Sequence, residues 1–188
     1  MKNRSLNAQV FSLLLILKTA FTAAAPISLL PLNGYDLITH QNVFVDSSKK
    51  TATVVVFLSA LCPCSNSHLP ELRKLSENFP EFNFVAIHSN ANESLGVSQA
   101  YFKKANLSFP VIEDEHSKLA NQFKAFKTPH AFVVLANGEL AYQGGVSNSV
   151  DFPSSSKLFL REALMDLKNH QNVRTSSGRT LGCMIKRT

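Results

Sequence analysis

Thr51-Ala-Thr-Val-Val-Val-Phe-Leu-Ser-Ala-Leu-Cys-Pro-Cys-Ser65 is the stretch on which the reading turns. Its first ten residues form a continuous β-branched and apolar run, the pattern of a strand buried on both faces of a parallel sheet. Two cysteines then flank a proline, and Leu69, Leu72, Leu75 and Phe79 follow at helical spacing, with Ser65 or Asn66 as the expected N-cap. A cysteine at such a junction is chemically special. Only the thiolate is a nucleophile, and the unpaired N–H groups and positive dipole end of a helix start stabilise an anion. Cys62 is therefore the expected reactive thiol, with Cys64 two residues on and Pro63 stiffening the turn.

Working outward, strands and helices alternate. Phe82–His88 reads as a strand, 98–105 as a helix, 109–112 as a short strand and 116–126 as a helix. After Thr128-Pro129 come an apolar strand over 130–136, an Asn137-Gly138 hairpin turn and a strand over 139–143. An amphipathic helix over 155–168 closes the series with Leu158, Phe159, Ala163, Leu164 and Leu167 on one face. Upstream, Asn33-Gly34 and the alternating residues 42–45 predict a small leading hairpin that turns at Asn33-Gly34.

The chain of 188 residues is long enough for one buried domain beside a targeting segment. Residues 1–25 have the marks of a secretory signal: basic Lys2 and Arg4, an apolar run from Val10 to Leu17, small residues Ala23 to Ala25 and no acid. Lys18 cuts the apolar stretch well short of the roughly 20 residues that a spanning helix needs. An exported or periplasmic protein is expected, touching a membrane only through an uncleaved leader. The formal charge of +6 is concentrated at the two ends, and no basic stripe with interleaved aromatics appears, so a nucleic-acid partner is not expected. Three cysteines allow at most one internal disulfide, which leaves a thiol for chemistry, a metal or a partner.

The order of strand, cysteine turn, helix with Pro70, later Thr128-Pro129, then hairpin and helix resembles the thioredoxin superfamily. Within it, 86–90, 109–114, 128–133, 141–145 and the terminal Gly182-Cys183-Met184-Ile185-Lys186 look like bacterial redoxin proteins related to the peroxiredoxins, the alkyl hydroperoxide reductase and thiol-specific antioxidant group. The resemblance implies an α/β three-layer sandwich with a central mixed sheet flanked by helices. It also implies a cis Thr128–Pro129 peptide that presents backbone to a substrate. Boundaries follow: 1–25 leader, 26–170 domain, 171–188 a C-terminal tail carrying Cys183.

Departures from the resemblance are specific. Ser65 stands where thioredoxins have their second cysteine, and Val56 replaces their buried acid; Ser59 does match the Ser/Thr three residues before a peroxidatic cysteine. No Arg lies near Thr128-Pro129, so efficient peroxidase activity is not expected.

The leading expectation is a thiol-disulfide oxidoreductase with no bound cofactor: Cys62 attacks a protein disulfide, a small-thiol disulfide or a peroxide, and Cys183 or Cys64 resolves. A redox donor or acceptor protein completes the cycle. Cys183 is favoured as resolving thiol because Ser176, Ser177, Gly178 and Gly182 suggest a flexible tail, whereas a Cys62–Cys64 bridge closes a very small ring. The alternative is a copper-binding chaperone using Cys62, Cys64 and His68 or His130. His68 is otherwise expected to be a partly exposed helix residue, His88 has no constellation around it, and Glu113-Asp114-Glu115 reads as a solvated turn.

Overall fold

The computed structural model describes residues 29–187, so the leader expected over 1–25 lies outside the described residues. The quoted run forms β3 (Ala52–Leu58), buried at every position. It pairs in parallel with β4 (Phe82–His88) and antiparallel with β7 (His130–Leu135). Outside these, β5 (Val111–Glu113) extends the sheet beyond β4 and β8 (Leu140–Gly144) beyond β7, giving the order β5-β4-β3-β7-β8. This is the expected mixed sheet.

Alternation along β3 divides the core. Val54, Val56 and Leu58 pack with Leu69, Leu72 and Leu75 of α1 (Pro63–Asn78), Phe102 of α2 (Leu95–Ala105), and Leu160 and Leu164 of α4 (Phe159–Lys168). Val55 and Phe57 face the other way, onto Ala120 and Phe123 of α3 (Lys118–Phe123) and onto Leu32 and Val45. Two apolar clusters with a sheet between them make the three layers. Arg161 grips the buried Glu71 with two guanidinium nitrogens, so α4 clamps the helix that carries the cysteines.

Several boundaries differ from the sequence expectation for local reasons. Helix α1 starts three residues early: Cys62 is its N-cap, and Pro63, whose ring suits the first helical position, is N1. The hairpin of β1 (Leu32–Tyr35) and β2 (Asn42–Val45) turns at Asp36–Gln41. Gly34 lies inside β1, opposite Val43, because a Cβ there would collide with the Ile112 side chain. Helix α3 shrinks to 118–123, since His116, Ser117 and Lys124 take left-handed backbone angles. The last helix begins at Phe159 after a 3₁₀ turn over 152–154.

The expectation of a freely swinging tail fails. Beyond α4 the chain is docked: Gly178 N donates to Gln143 O, Ile185 N to Phe126 O, and Lys186 N to the Asn90 side chain. Its β9 (Cys183–Met184) pairs antiparallel with β6 (Lys127–Thr128), in the register Thr128 to Cys183. Ile185 is buried in the core cluster beside Phe57 and Phe132. An apolar anchor and a set of backbone bonds outweigh the freedom that serine and glycine suggested.

Candidate active site: three thiols around a helix start

At the carboxyl end of β3 the chain leaves the sheet, and Cys62 caps α1 with extended backbone angles. Its side chain is 2% exposed, and Sγ lies 3.2 Å from the Thr128 carbonyl oxygen. The Thr128–Pro129 peptide is cis, as the resemblance implied. Cys64 lies in the first turn of α1, and β9 brings in Cys183 from the other end of the sequence. All three sulfurs lie within 4.8 Å of one another, and all three cysteines are free thiols.

These sulfurs are not equivalent. Burial by itself would raise the Cys62 pKa, yet the Cys183 thiol, the Thr128 side chain and the backbone N–H groups of Ser65 and Cys183 together bring it below the ordinary thiol value. Oγ1 of Thr128 is buried and has no hydrogen-bond partner. Burial and then the neighbouring Cys62 charge push Cys64 up. Cys183 rises to about 12 through burial and its role as donor to Cys62. One thiolate therefore forms first at Cys62, and the other two thiols stay protonated around it.

Sequence reasoning overlooked the support beneath this turn. Glu93, from the loop after β4, is buried and accepts from Ser59 Oγ (2.5 Å), Ala60 N (2.7 Å), Asn90 Nδ2 (2.9 Å) and His88 Nε2 (3.0 Å). Burial would raise its pKa, but these partners, His88 first, hold the carboxyl below the usual range. His88, expected to stand alone, is thus part of a buried network that also includes Ser98. A buried carboxylate is present after all, supplied from beside β4 where Val56 of β3 cannot supply one. The one available signal was Glu93 lying five residues after His88, across a turn with Asn90 between them.

The histidines expected near copper do not join the cluster of thiols. His68 is buried; its Nδ1–H donates to Cys64 O at 2.7 Å, which leaves Nε2 to accept from Ser147 Oγ at 2.9 Å. Burial lowers its pKa and favours this neutral form. His130 is buried between Phe126 and Phe132, and burial lowers its pKa to about 4. The three sulfurs are the set that can hold a soft cation among the described residues, and neither histidine belongs to it. The copper set built on Cys62, Cys64 and a histidine is therefore not supported.

Asp114, expected in a solvated turn, is buried and accepts from Ser89 Oγ and from the N–H groups of Leu119 and Ala120. It is a cap for α3, not a cation ligand. The largest cavity described, about 700 Å³, is lined by Asn33, Tyr35, Leu95, Glu113 and Lys118 among others and includes none of the three cysteines.

Residues 24–143 match the AhpC/TSA family, more than half of the chain. The chain belongs to that family. With it comes membership of the thioredoxin superfamily, the group that the cysteine turn and Thr128-Pro129 suggested. Among solved structures, an uncharacterized conserved protein from Geobacillus kaustophilus is similar at 24% identity and a TM-score of 0.76, covering 86% of this chain and 90% of its own. A hypothetical protein from Sinorhizobium meliloti 1021 is similar at 22% identity and 0.76, with 89% and 96% covered. A secreted disulfide oxidoreductase of Mycobacterium tuberculosis shares the fold at 22% identity and 0.53, with 62% and 84% covered. No curated protein matches the chain.

Proposed function

We propose that this family member is an exported thiol-disulfide oxidoreductase in which Cys62 is the nucleophile and Cys183 the resolving thiol. The observation that carries the reading is the convergence of three free thiols within 4.8 Å, of which the helix-capping one has the lowered pKa. Cys62 thiolate attacks one sulfur of a substrate disulfide, forms a mixed disulfide and expels the first thiolate. Cys183 then attacks the Cys62 sulfur, forms the Cys62–Cys183 disulfide and expels the second. The protein loses two electrons and the substrate gains them; a dithiol donor protein, itself oxidised to a disulfide, returns Cys62 and Cys183 to thiols.

Cys183 suits the second step better than Cys64. Cys64 is held in the first turn of α1, only two residues from Cys62, where a bridge would have to close a very small ring. Thr128 and Pro129 serve as the substrate-side wall, through the carbonyl that contacts Cys62 Sγ. Export is supported by the basic, apolar and small-residue order of residues 1–25, and by the fold shared with a secreted oxidoreductase.

The test is single turnover of the reduced full chain with a small disulfide, followed by acid quench and peptide mapping. A Cys62–Cys183 peptide, together with a trapped substrate adduct on Cys62 in Cys183→Ser, is the expected result. A dominant Cys62–Cys64 peptide refutes the resolving role of Cys183.

A further inference from the structure

The backbone edge beside Cys62 is already occupied. Thr128 pairs with Cys183 and Lys127 with Met184, so the chain's own C-terminal strand lies where an incoming extended polypeptide would add. The fit is close enough to require glycine. Gly182 has a φ of +138°, and a Cβ at that position would strike the Thr128 carbonyl, the oxygen that contacts Cys62 Sγ. The strap is fixed at both ends: Lys127 Nζ donates to Thr180 O, Ile185 N to Phe126 O, Lys186 N to Asn90 Oδ1, and Ala91 N to Lys186 O.

We propose that β9 is the specificity element of this site, admitting low-molecular-weight disulfides to Cys62 and excluding disulfides carried in extended polypeptide. The inference rests on Cys62 being the nucleophile. A polypeptide disulfide gains affinity by pairing its backbone with an open strand edge, and here that edge is already paired with β9 at Lys127 and Thr128. A small disulfide, RS–SR, needs only an in-line approach to one sulfur. Cys62 thiolate takes one RS group and releases RS⁻; Cys183, already seated beside it, releases the second as the internal disulfide forms. The same segment thus supplies the resolving thiol and closes the edge, and the two roles can be separated by substitution at the neighbouring glycine.

The experiment compares the rate of mixed-disulfide formation at Cys62 with bis(2-hydroxyethyl) disulfide and with an extended peptide bearing a single disulfide, each in full-length reduced protein. Taking the ratio of the two rates cancels any change in Cys62 reactivity itself. The wild-type chain is expected to favour the small disulfide. Gly182→Ala, which forces the strap off Thr128, is expected to move the ratio about tenfold towards the peptide, the worth of a pair of recovered backbone hydrogen bonds. Asn90→Ala loosens the strap from its far end and is expected to shift the ratio in the same direction. Amide exchange at Lys127, Thr128, Cys183 and Met184 reports whether the strap has opened. Faster exchange with an unchanged ratio overturns the proposal, as does equal reactivity of the wild type towards both disulfides. Cys62→Ser separates this inference from the reading beneath it: adduct formation that survives that change refutes Cys62 as nucleophile, whatever the ratio shows.

Discussion

The Cys62–Cys64 turn and the Cys183 strap bring sulfur to the same place by opposite means. The turn is local: strand β3, the N-cap and Pro63 adjoin in sequence, and each is explained by its immediate neighbours. The strap is remote. It reaches the site through pairing with β6, the packing of its Ile185 into the cluster of Phe57 and Phe132, and the Asn90 latch, all of them contacts with residues far from it in sequence. The difference teaches that reactivity can be built locally while partnership between thiols is a tertiary property. Cys62 owes its position to the turn, but the Cys183 hydrogen bond is the largest of the contributions that lower its pKa.

The sharpest way to break this comparison is to remove one sulfur at a time. Cys62→Ser is expected to abolish disulfide exchange to the detection limit, whereas Cys64→Ser retains adduct formation and the Cys62–Cys183 product, as mass spectrometry will read. Equal losses in the two variants make the turn, and not Cys62, the functional unit.

Next in size is the support under the turn. Glu93→Ala leaves Ser59 Oγ, Ala60 N, Asn90 Nδ2 and His88 Nε2 without their shared acceptor. A loss of roughly 3 kcal/mol in urea unfolding is expected from unpaired buried donors. A loss below roughly 0.5 kcal/mol, the range of ordinary surface substitutions, would place the turn's stability elsewhere.

A smaller effect tests the coupling between the two regions. Cys183→Ala removes a donor to the Cys62 thiolate, so the Cys62 pKa should rise and its alkylation-rate profile should move to higher pH. The sign is direct: Cys62 reacts as thiolate, its depressed pKa makes the wild-type rate level off below the ordinary thiol range, and loss of the donor postpones that plateau. An unmoved profile means that the helix start alone activates Cys62. Smallest of all is the difference among thiols in the intact protein. Below pH 9, Cys62 is expected to be alkylated before Cys183, whose proton is held up to about pH 12. Isotope-coded labelling at short times reads the order directly.

The sheet was legible because its strands announce themselves by composition. Thr51 to Ala60 and His130 to Ala136 are apolar runs of strand length, and Asn137-Gly138 marks the turn between β7 and β8, with Gly138 at a φ of +85°. Elements shaped by contacts from elsewhere were misread. Gly34 looked like a turn residue and is a strand residue crowded by Ile112; residues 116 and 117 kept a helical composition but adopt left-handed angles next to Asp114, whose carboxylate caps α3.

The site divides along the same line. Sequence by itself determined that a strand would deliver Cys62 to the start of a helix, because β-branched residues and apolar i, i+3 spacing act over a few residues. The resemblance to thioredoxin-like proteins also pointed to Thr128-Pro129, whose Thr128 carbonyl lies 3.2 Å from Cys62 Sγ. Only the tertiary structure decided that Cys183 is the docked neighbour of Cys62, that Glu93 holds the turn and that His68 is bonded to Cys64 O and Ser147. Those outcomes depend on which buried groups find partners, and a donor and its acceptor can stand 96 residues apart, as Lys186 and Asn90 do. Local periodicity carries no information over that distance; the folded chain supplies it by leaving few polar groups unpaired.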